Sequence, residues 1–140
     1  MGILTKVKEL FEKKPIETLR QLEEELAKIQ NKNKCDIIAL IGTGGRLKGL
    51  PLVYATEDED SLKILSARLS ELLKTIQNLS TEDNFRDIVI NYNDSILFFK
   101  PIMNNISFFA IVRENNDILI LKQFIYKNEN LLKELFHDKI

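Results

Sequence analysis

Three strand-like runs follow one another in the second half of the chain, separated only by short gaps. They cover residues 85–92, 95–102 and 106–113, with Asn93-Asp94 and Met103-Asn104-Asn105 between them. Gaps of two or three residues join antiparallel neighbours, because a parallel crossover needs a dozen residues or more. This half of the chain therefore predicts an antiparallel three-stranded meander.

A second strand pair precedes the meander. Residues 35–41 and 50–55 are strand-like, and four of the five glycines lie in the loop between them. Gly44 and Gly49 have the spacing of a phosphate-binding loop, but Leu50-Pro51 follows where that motif has Lys and Ser or Thr. Pro51 suits the first residues of an edge strand. We therefore predict a hairpin with a tight loop and no phosphate site.

Apolar residues recur at spacings of three and four over residues 16–32, 62–79 and 118–137, which predicts three helices. The start of the last segment, residues 117–121, also fits a strand by composition. The order α-ββ-α-βββ-α predicts an α+β domain with a five-stranded antiparallel sheet flanked by helices. An additional amphipathic helix is predicted over residues 2–14. We therefore divide the chain into an extension, residues 1–14, and a domain, residues 15–140.

Composition excludes several classes of function. The chain has 140 residues, a net charge of −1, one Cys and one His. This length indicates a single domain. A nearly neutral chain lacks the basic excess of a non-specific nucleic-acid binder, so we expect no nucleic acid among its partners. A single Cys excludes an internal disulfide framework, and with one His the common zinc patterns are absent.

The isolated reactive residues do not form a catalytic pattern. Cys35 begins a strand-like run and is predicted to be a small core residue. The acidic run Glu57–Asp60 lacks the alternating ligands of a calcium loop and is predicted to begin a helix. His137 lies too near the C-terminus to be held as a general base. We expect no catalytic residues, no cofactor and no metal, and hence no enzyme.

The ends of the chain bear on its location. Charged residues interrupt the N-terminal apolar positions, and no run of about 18 apolar residues occurs. We therefore expect a cytoplasmic protein. The lysines of residues 2–14 permit contact with an acidic membrane surface, but this is not the role we expect for them.

The helix predicted over residues 62–79 is broadly apolar. Ile64 and Leu73 fall outside its main seam. A small sheet has two faces and two edges, and this number of helices leaves part of it uncovered. Dimerisation through a helix and a sheet edge would solve the problem.

From residue 16 to about residue 136 the chain resembles the Roadblock family, whose layout is partly shared by longin-like and profilin-like folds. Three features carry the resemblance: the element order, the step Gly49-Leu50-Pro51-Leu52-Val53, and the segments Asp87–Ile90 and Ser95–Ile102. The chain departs from the family in two ways: Lys48 stands where an Asp is common, and Gly44-Gly45 lengthen the loop.

The resemblance implies a non-enzymatic dimer that acts as a platform for Ras-like small GTPases or as an adaptor. In the family the long central helix and the third strand build the dimer, giving a continuous sheet across two subunits. Carried over, the implied interface consists of Leu62, Leu65, Leu69, Leu72, Ile76, Arg86, Asp87, Val89 and Asn91. The helical face commonly receives the GTPase, which makes Arg68, Glu71 and Lys74 candidates for partner binding.

The leading hypothesis is therefore a dimeric scaffold, paired with itself or with another Roadblock protein, that binds and regulates a Ras-like small GTPase. Two alternatives stay open at the level of sequence. One is a longin-like trafficking adaptor that binds a peptide or a partner helix. The other is a profilin-like domain that encloses and senses a small molecule.

Overall fold

The computed structural model describes residues 18–79 and 85–137, so the helix predicted over residues 2–14 lies outside the described part. The helices are α1 (Leu19–Asn33), α2 (Glu59–Gln77) and α3 (Asn115–His137), and the strands are β1 (Ile37–Gly42), β2 (Pro51–Thr56), β3 (Ile88–Asn91), β4 (Ile96–Met103) and β5 (Ile106–Val112). A single 3₁₀ turn, Gly45–Leu47, lies between β1 and β2. The predicted element order is confirmed, and residues 117–121 belong to helix α3.

The five strands form one sheet in the order β2-β1-β5-β4-β3, and every neighbouring pair is antiparallel. The meander joins the hairpin through β1 and β5, which pair from Ile37 opposite Ile111 to Gly42 opposite Ile106. Pro51 begins β2, and β2 is an edge strand, as the sequence predicts.

This strand order explains the length of α2, which connects the two edge strands. The chain must travel four inter-strand spacings, or about 19 Å, between β2 and β3. Helix α2 has 19 residues and is therefore about 28 Å long, enough to carry the chain from one edge to the other.

Both faces of the sheet are buried. Helices α1 and α3 cover one face, and α2 packs on the other, mainly against β1 and β2. Because side chains alternate along a strand, the neighbours Phe98 and Phe99 enter opposite cores, and so do Phe108 and Phe109. All four rings are fully buried. The stretches 96–99 of β4 and 108–112 of β5 are therefore continuously apolar, unlike the strands of a sheet with one wet face.

Capping side chains fix where α1 and α2 begin. Thr18 and Gln21 form a reciprocal capping box, each side chain accepting from the other's backbone N–H at 3.1 Å. Asp58 caps α2 by accepting from the Ser61 N–H at 3.0 Å and from the Ser61 hydroxyl at 2.7 Å. These hydrogen bonds from Ser61 lower the pKa of Asp58. The acidic run is a helix start, as predicted.

The glycine-rich segment folds as a hairpin loop, which confirms the prediction. The Gly49 N–H donates to the Gly42 carbonyl and the Gly42 N–H to the Leu50 carbonyl, both at 2.8 Å. The Thr43 N–H donates to the Asn105 carbonyl, also at 2.8 Å, which ties this loop to the turn between β4 and β5. Gly49 has a φ of +81°, a conformation that favours glycine.

Two substitutions in this loop test how closely its backbone segments approach. A Cβ on Gly42 would clash with the Leu47 carbonyl, whereas a Cβ on Gly44 meets the side-chain amide of Asn105, which can turn away. We expect Gly42→Ala to lower the free energy of unfolding by about 2–3 kcal/mol, and Gly44→Ala, the matched control, to lower it less. Urea denaturation measures both, and equal losses would contradict the described loop.

Candidate interaction site

Helix α2 presents three distinct sides. Its inner side consists of Leu62, Ser66, Leu69, Ser70 and Leu73, which are buried. Ser66 and Ser70 satisfy their hydroxyls by donating to backbone carbonyls of the same helix, at 2.7 Å. Leu62 and Leu69, two of the residues assigned to a dimer interface from sequence, pack against the sheet of their own chain. They therefore contribute to the internal core and offer little surface to a partner.

The flank of α2 is apolar and half-buried. It consists of Leu65, Leu72 and Ile76, of which Leu65 and Leu72 pack against the same core as Ile88 and Ile90 of strand β3. We call these five residues the α2–β3 surface. Among the described helices one covers this face of the sheet and two cover the other, so within the described part of the chain the α2–β3 surface is an apolar area left partly open.

Strand β3 is an edge of the sheet, and its free backbone groups have a defined orientation. The Tyr92 N–H donates to the Ser95 carbonyl at 2.8 Å, so Tyr92 lies at a hydrogen-bonded position of the β3–β4 ladder. Hydrogen-bonded and non-hydrogen-bonded positions alternate in an antiparallel ladder. The N–H and C=O groups of Val89 and Asn91 consequently point away from β4, toward the open edge.

The side chains of this edge divide between the two faces. Ile88 and Ile90 lie opposite Phe99 and Leu97, on the α2 face. Val89, which is 39 % exposed, lies opposite Phe98 on the α3 face. Asp87 lies just before the strand and pairs with its neighbour Arg86 at 3.4 Å. Side chains along β3 therefore alternate between the two faces of the sheet.

The outer side of α2 carries the partner-binding candidates, and all three are exposed: Arg68, Glu71 and Lys74. Glu71 does not stand alone, because the Lys48 ammonium from the β1–β2 loop lies 2.6 Å from its carboxylate. The Lys48 hydrogen bond lowers the pKa of Glu71, and the same bond raises the pKa of Lys48. The Lys48 side chain also lowers the pKa of Lys74. This ion pair fixes the loop against the helix.

Two exposed apolar side chains extend this outer side. Ile64 is 51 % exposed and Leu50, next to the loop, is 49 % exposed. Gly49 lies against Ala67 of α2, since a Cβ there would be 3.6 Å from the Ala67 Cα. The sequence alone shows Ile64 as apolar outside the main seam. Nothing in the sequence places Leu50 beside α2, because only the folded loop brings it there.

The side chains that could bind a metal ion do not cluster in the described part of the chain. Among the described residues no group of three or more His, Cys, Asp or Glu side chains could hold a metal ion. No helix in the described part of the chain is long and apolar enough to cross a membrane. A cleft of about 650 Å³ lies between the end of α1 and the start of α2 and is lined by Cys35, Asp36 and Asp58. Cys35 is itself buried in the core, as predicted.

Comparison with known proteins identifies the fold. No family model and no curated protein matches the sequence. Solved structures do match. A structure described as MglB with tetrameric arrangement has 11 % identity and a TM-score of 0.69, covering 91 % of this chain and 99 % of that one. The gliding protein MglB from Thermus thermophilus has 13 % identity and a TM-score of 0.69, covering 89 % and 98 %.

A Roadblock/LC7 domain from Streptomyces avermitilis also matches, with 14 % identity and a TM-score of 0.58 over 79 % of this chain and 96 % of that one. The chain therefore has the Roadblock/LC7 fold, as the resemblance in its sequence predicts.

The reactivity of Cys35 tests the burial of this cleft wall. Burial, with the charges of Asp117 and Asp36, raises the pKa of the Cys35 thiol to about 12. Since the thiolate is the reactive form, we expect native protein at pH 8 to react with a disulfide reagent about three orders of magnitude more slowly than an ordinary thiol. The same protein in guanidinium chloride, as the control, should react at once. Equal rates would place the thiol in solvent.

Proposed function

We propose that this protein is a non-catalytic dimeric scaffold that binds and regulates a Ras-like small GTPase. The observation that carries the proposal is an open edge strand beside a half-covered apolar helix flank, within a Roadblock/LC7 fold. The resemblance of the sequence to the Roadblock family supports the GTPase as partner. The tetrameric arrangement described for one MglB structure supports self-association in this fold.

The free edge of β3 supports a particular pairing between two copies. Val89 and Asn91 direct backbone N–H and C=O groups outward, and the alternation extends this orientation to Asp87. A twofold axis through Val89 pairs this residue with its own copy and places Asp87 of each copy opposite Asn91 of the other. In this register Val89 lies opposite an apolar residue, and the Asp87 carboxylate lies opposite the Asn91 amide. The side chains as well as the backbone groups are therefore compatible with the pairing.

The α2–β3 surface supports the same arrangement. Exposed edge strands and contiguous apolar patches are aggregation hazards unless something covers them. A second copy related by the axis at β3 would bring its own α2 flank toward Leu65, Leu72 and Ile76. One contact would then cover both the edge and the flank. Of the interface residues assigned from sequence, Leu62 and Leu69 play no direct part in this proposal, because they are buried in the core.

A proline at the free edge tests the dimer. The Val89 N–H points away from β4, so Val89→Pro removes a donor that takes part in no hydrogen bond among the described residues, and it leaves the β3–β4 ladder intact. We expect the variant to stay folded by circular dichroism but to be a monomer by light scattering at tens of micromolar. Val89→Thr, the matched control, should stay a dimer. A monomeric wild-type protein would contradict the proposal directly.

The outer side of α2 is the surface we propose for the GTPase. It combines the exposed apolar side chains of Ile64 and Leu50 with the charges of Arg68, Glu71 and Lys74. An apolar centre with a charged rim is the usual composition of a protein interface. In the proposed dimer this side of α2 stays accessible, because pairing uses the opposite flank.

Binding measurements with a panel of Ras-like GTPases test this surface. Each GTPase is loaded with GDP or with a non-hydrolysable GTP analogue and applied to the immobilised protein in biolayer interferometry. We expect Ile64→Glu to weaken binding more than about tenfold by placing a charge at the centre of the contact. Gln123→Glu, on the exposed side of α3, is the control for the added charge. Equal loss in both variants, or no binding by any GTPase, would count against the proposal.

A further inference from the structure

Three cationic side chains converge on the face of the sheet opposite α2. Arg86 precedes β3, Lys100 lies in β4 and Lys122 lies in α3. Together with Asp87 they line a pocket of about 350 Å³ between α3 and the β3–β4 edge. The pocket brings together three separate parts of the chain, so nothing in the sequence alone marks it.

The charges of this pocket are not balanced. Asp87 is the carboxylate nearest the cations, and the same oxygen, Oδ2, lies 3.4 Å from Arg86 Nε and 3.9 Å from Lys122 Nζ. Lys100 Nζ donates to a neutral group, the Arg86 carbonyl, at 3.0 Å. The other acidic residue of the pocket wall, Glu129, lies 3.4 Å from Lys133 one turn further along α3. Among the residues that the structure describes, the three cations of this pocket therefore have one carboxylate, Asp87, between them, in a chain whose net charge is −1.

Two of the cationic side chains contact Asp87, but these contacts are longer than strong hydrogen bonds. Charge-assisted N–H···O bonds have lengths of about 2.7–2.9 Å, and both contacts to Asp87 are longer than this. The Lys122 ammonium lies 5.9 Å from the centre of the buried Phe98 ring, at the outer limit of a cation–π contact. An incoming anion would therefore find donors already in place, which reduces the entropy that binding costs.

An aromatic ring forms the rim of the pocket. Tyr126 is 85 % exposed, the highest value among the large apolar side chains described. It lies one residue after Ile125, which is buried and lines the inner wall. Exposed tyrosines next to cationic side chains are typical of protein contact sites, because the ring adds area at a low entropy cost.

We propose that this pocket binds an acidic linear segment of a partner protein, with a segment carboxylate between Lys100 and Lys122 and an aromatic residue against Tyr126. Three cations in a concave site suit one or two carboxylates. Nucleic acid requires a longer basic track along its backbone, and a lipid surface requires a flat basic patch. Because the pocket lies on the face opposite α2, it does not overlap the surface proposed for the GTPase.

A synthetic peptide tests the pocket. A fluorescein-labelled peptide of alternating glutamate pairs and single tyrosines is titrated with the full-length protein in a fluorescence anisotropy assay, at low and at physiological salt. We expect Lys100→Ala and Lys122→Ala each to weaken binding about tenfold, because each removes one charge-assisted hydrogen bond. Tyr126→Ala should weaken binding by a smaller factor, and Lys28→Ala, on the exposed side of α1, should leave it unchanged.

The outcomes separate a built pocket from general charge attraction. Equal weakening by Lys28→Ala and Lys122→Ala, or no binding at low salt, would overturn the proposal. So would binding of the protein to vesicles containing phosphatidylserine when the peptide is not bound. Light scattering of the lysine variants keeps this test apart from the proposed dimer. A monomer that binds the peptide through Lys100 and Lys122 would refute the dimer and support the pocket.

Discussion

The pairing of β1 with β5 is the interaction on which the rest of the structure depends. It joins the hairpin to the meander, and its register sets the face to which every core side chain points. A slip of one residue would exchange Phe108 and Phe109 between the two cores. Each fully buried phenylalanine contributes about 1.5–3 kcal/mol by its removal from water. A slipped register would lose part of this free energy, because each ring would enter a core that is packed around other side chains.

In the strand order β2-β1-β5-β4-β3, the two edge strands are β2 and β3. The two edges differ in how the helices cover them. Strand β2 begins with a proline and lies beneath α1, which contacts it extensively. Strand β3 is short, lies at the far side from α1, and directs the backbone groups of Val89 and Asn91 outward. The same asymmetry appears in the layers, because two of the described helices cover one face of the sheet and the third covers the other. The open edge of β3 therefore borders the face of the sheet on which α2 packs and which has less helical cover.

Sequence reasoning predicted the elements and their order because these depend on local periodicity and turn length. It misplaced several ends by two or three residues. The helix predicted from residue 16 begins at Leu19, because Thr18 supplies the N-terminal cap. The heptad seam could not separate Leu62 and Leu69, which enter the core, from Leu65 and Leu72 on the flank. That distinction requires the angle at which α2 lies on the sheet, which is a property of the tertiary structure.

The outer side of α2 can be predicted largely from the sequence, whereas the pocket beside α3 cannot, because the pocket depends on tertiary structure. The helix residues on the outer side of α2 recur at helical spacing and can be found by counting, whereas Leu50 of the loop cannot. The pocket beside α3 draws Arg86, Lys100 and Lys122 from a strand approach, a strand and a helix, and no spacing rule connects them. Sequence periodicity identifies a surface that belongs to a single helix or strand. A site formed by several elements can be identified only when the strand pairing and the packing of helices on the sheet are known. In this fold the strand order brings the residues of the pocket together, since it places β4 beside α3 and leaves β3 at the edge.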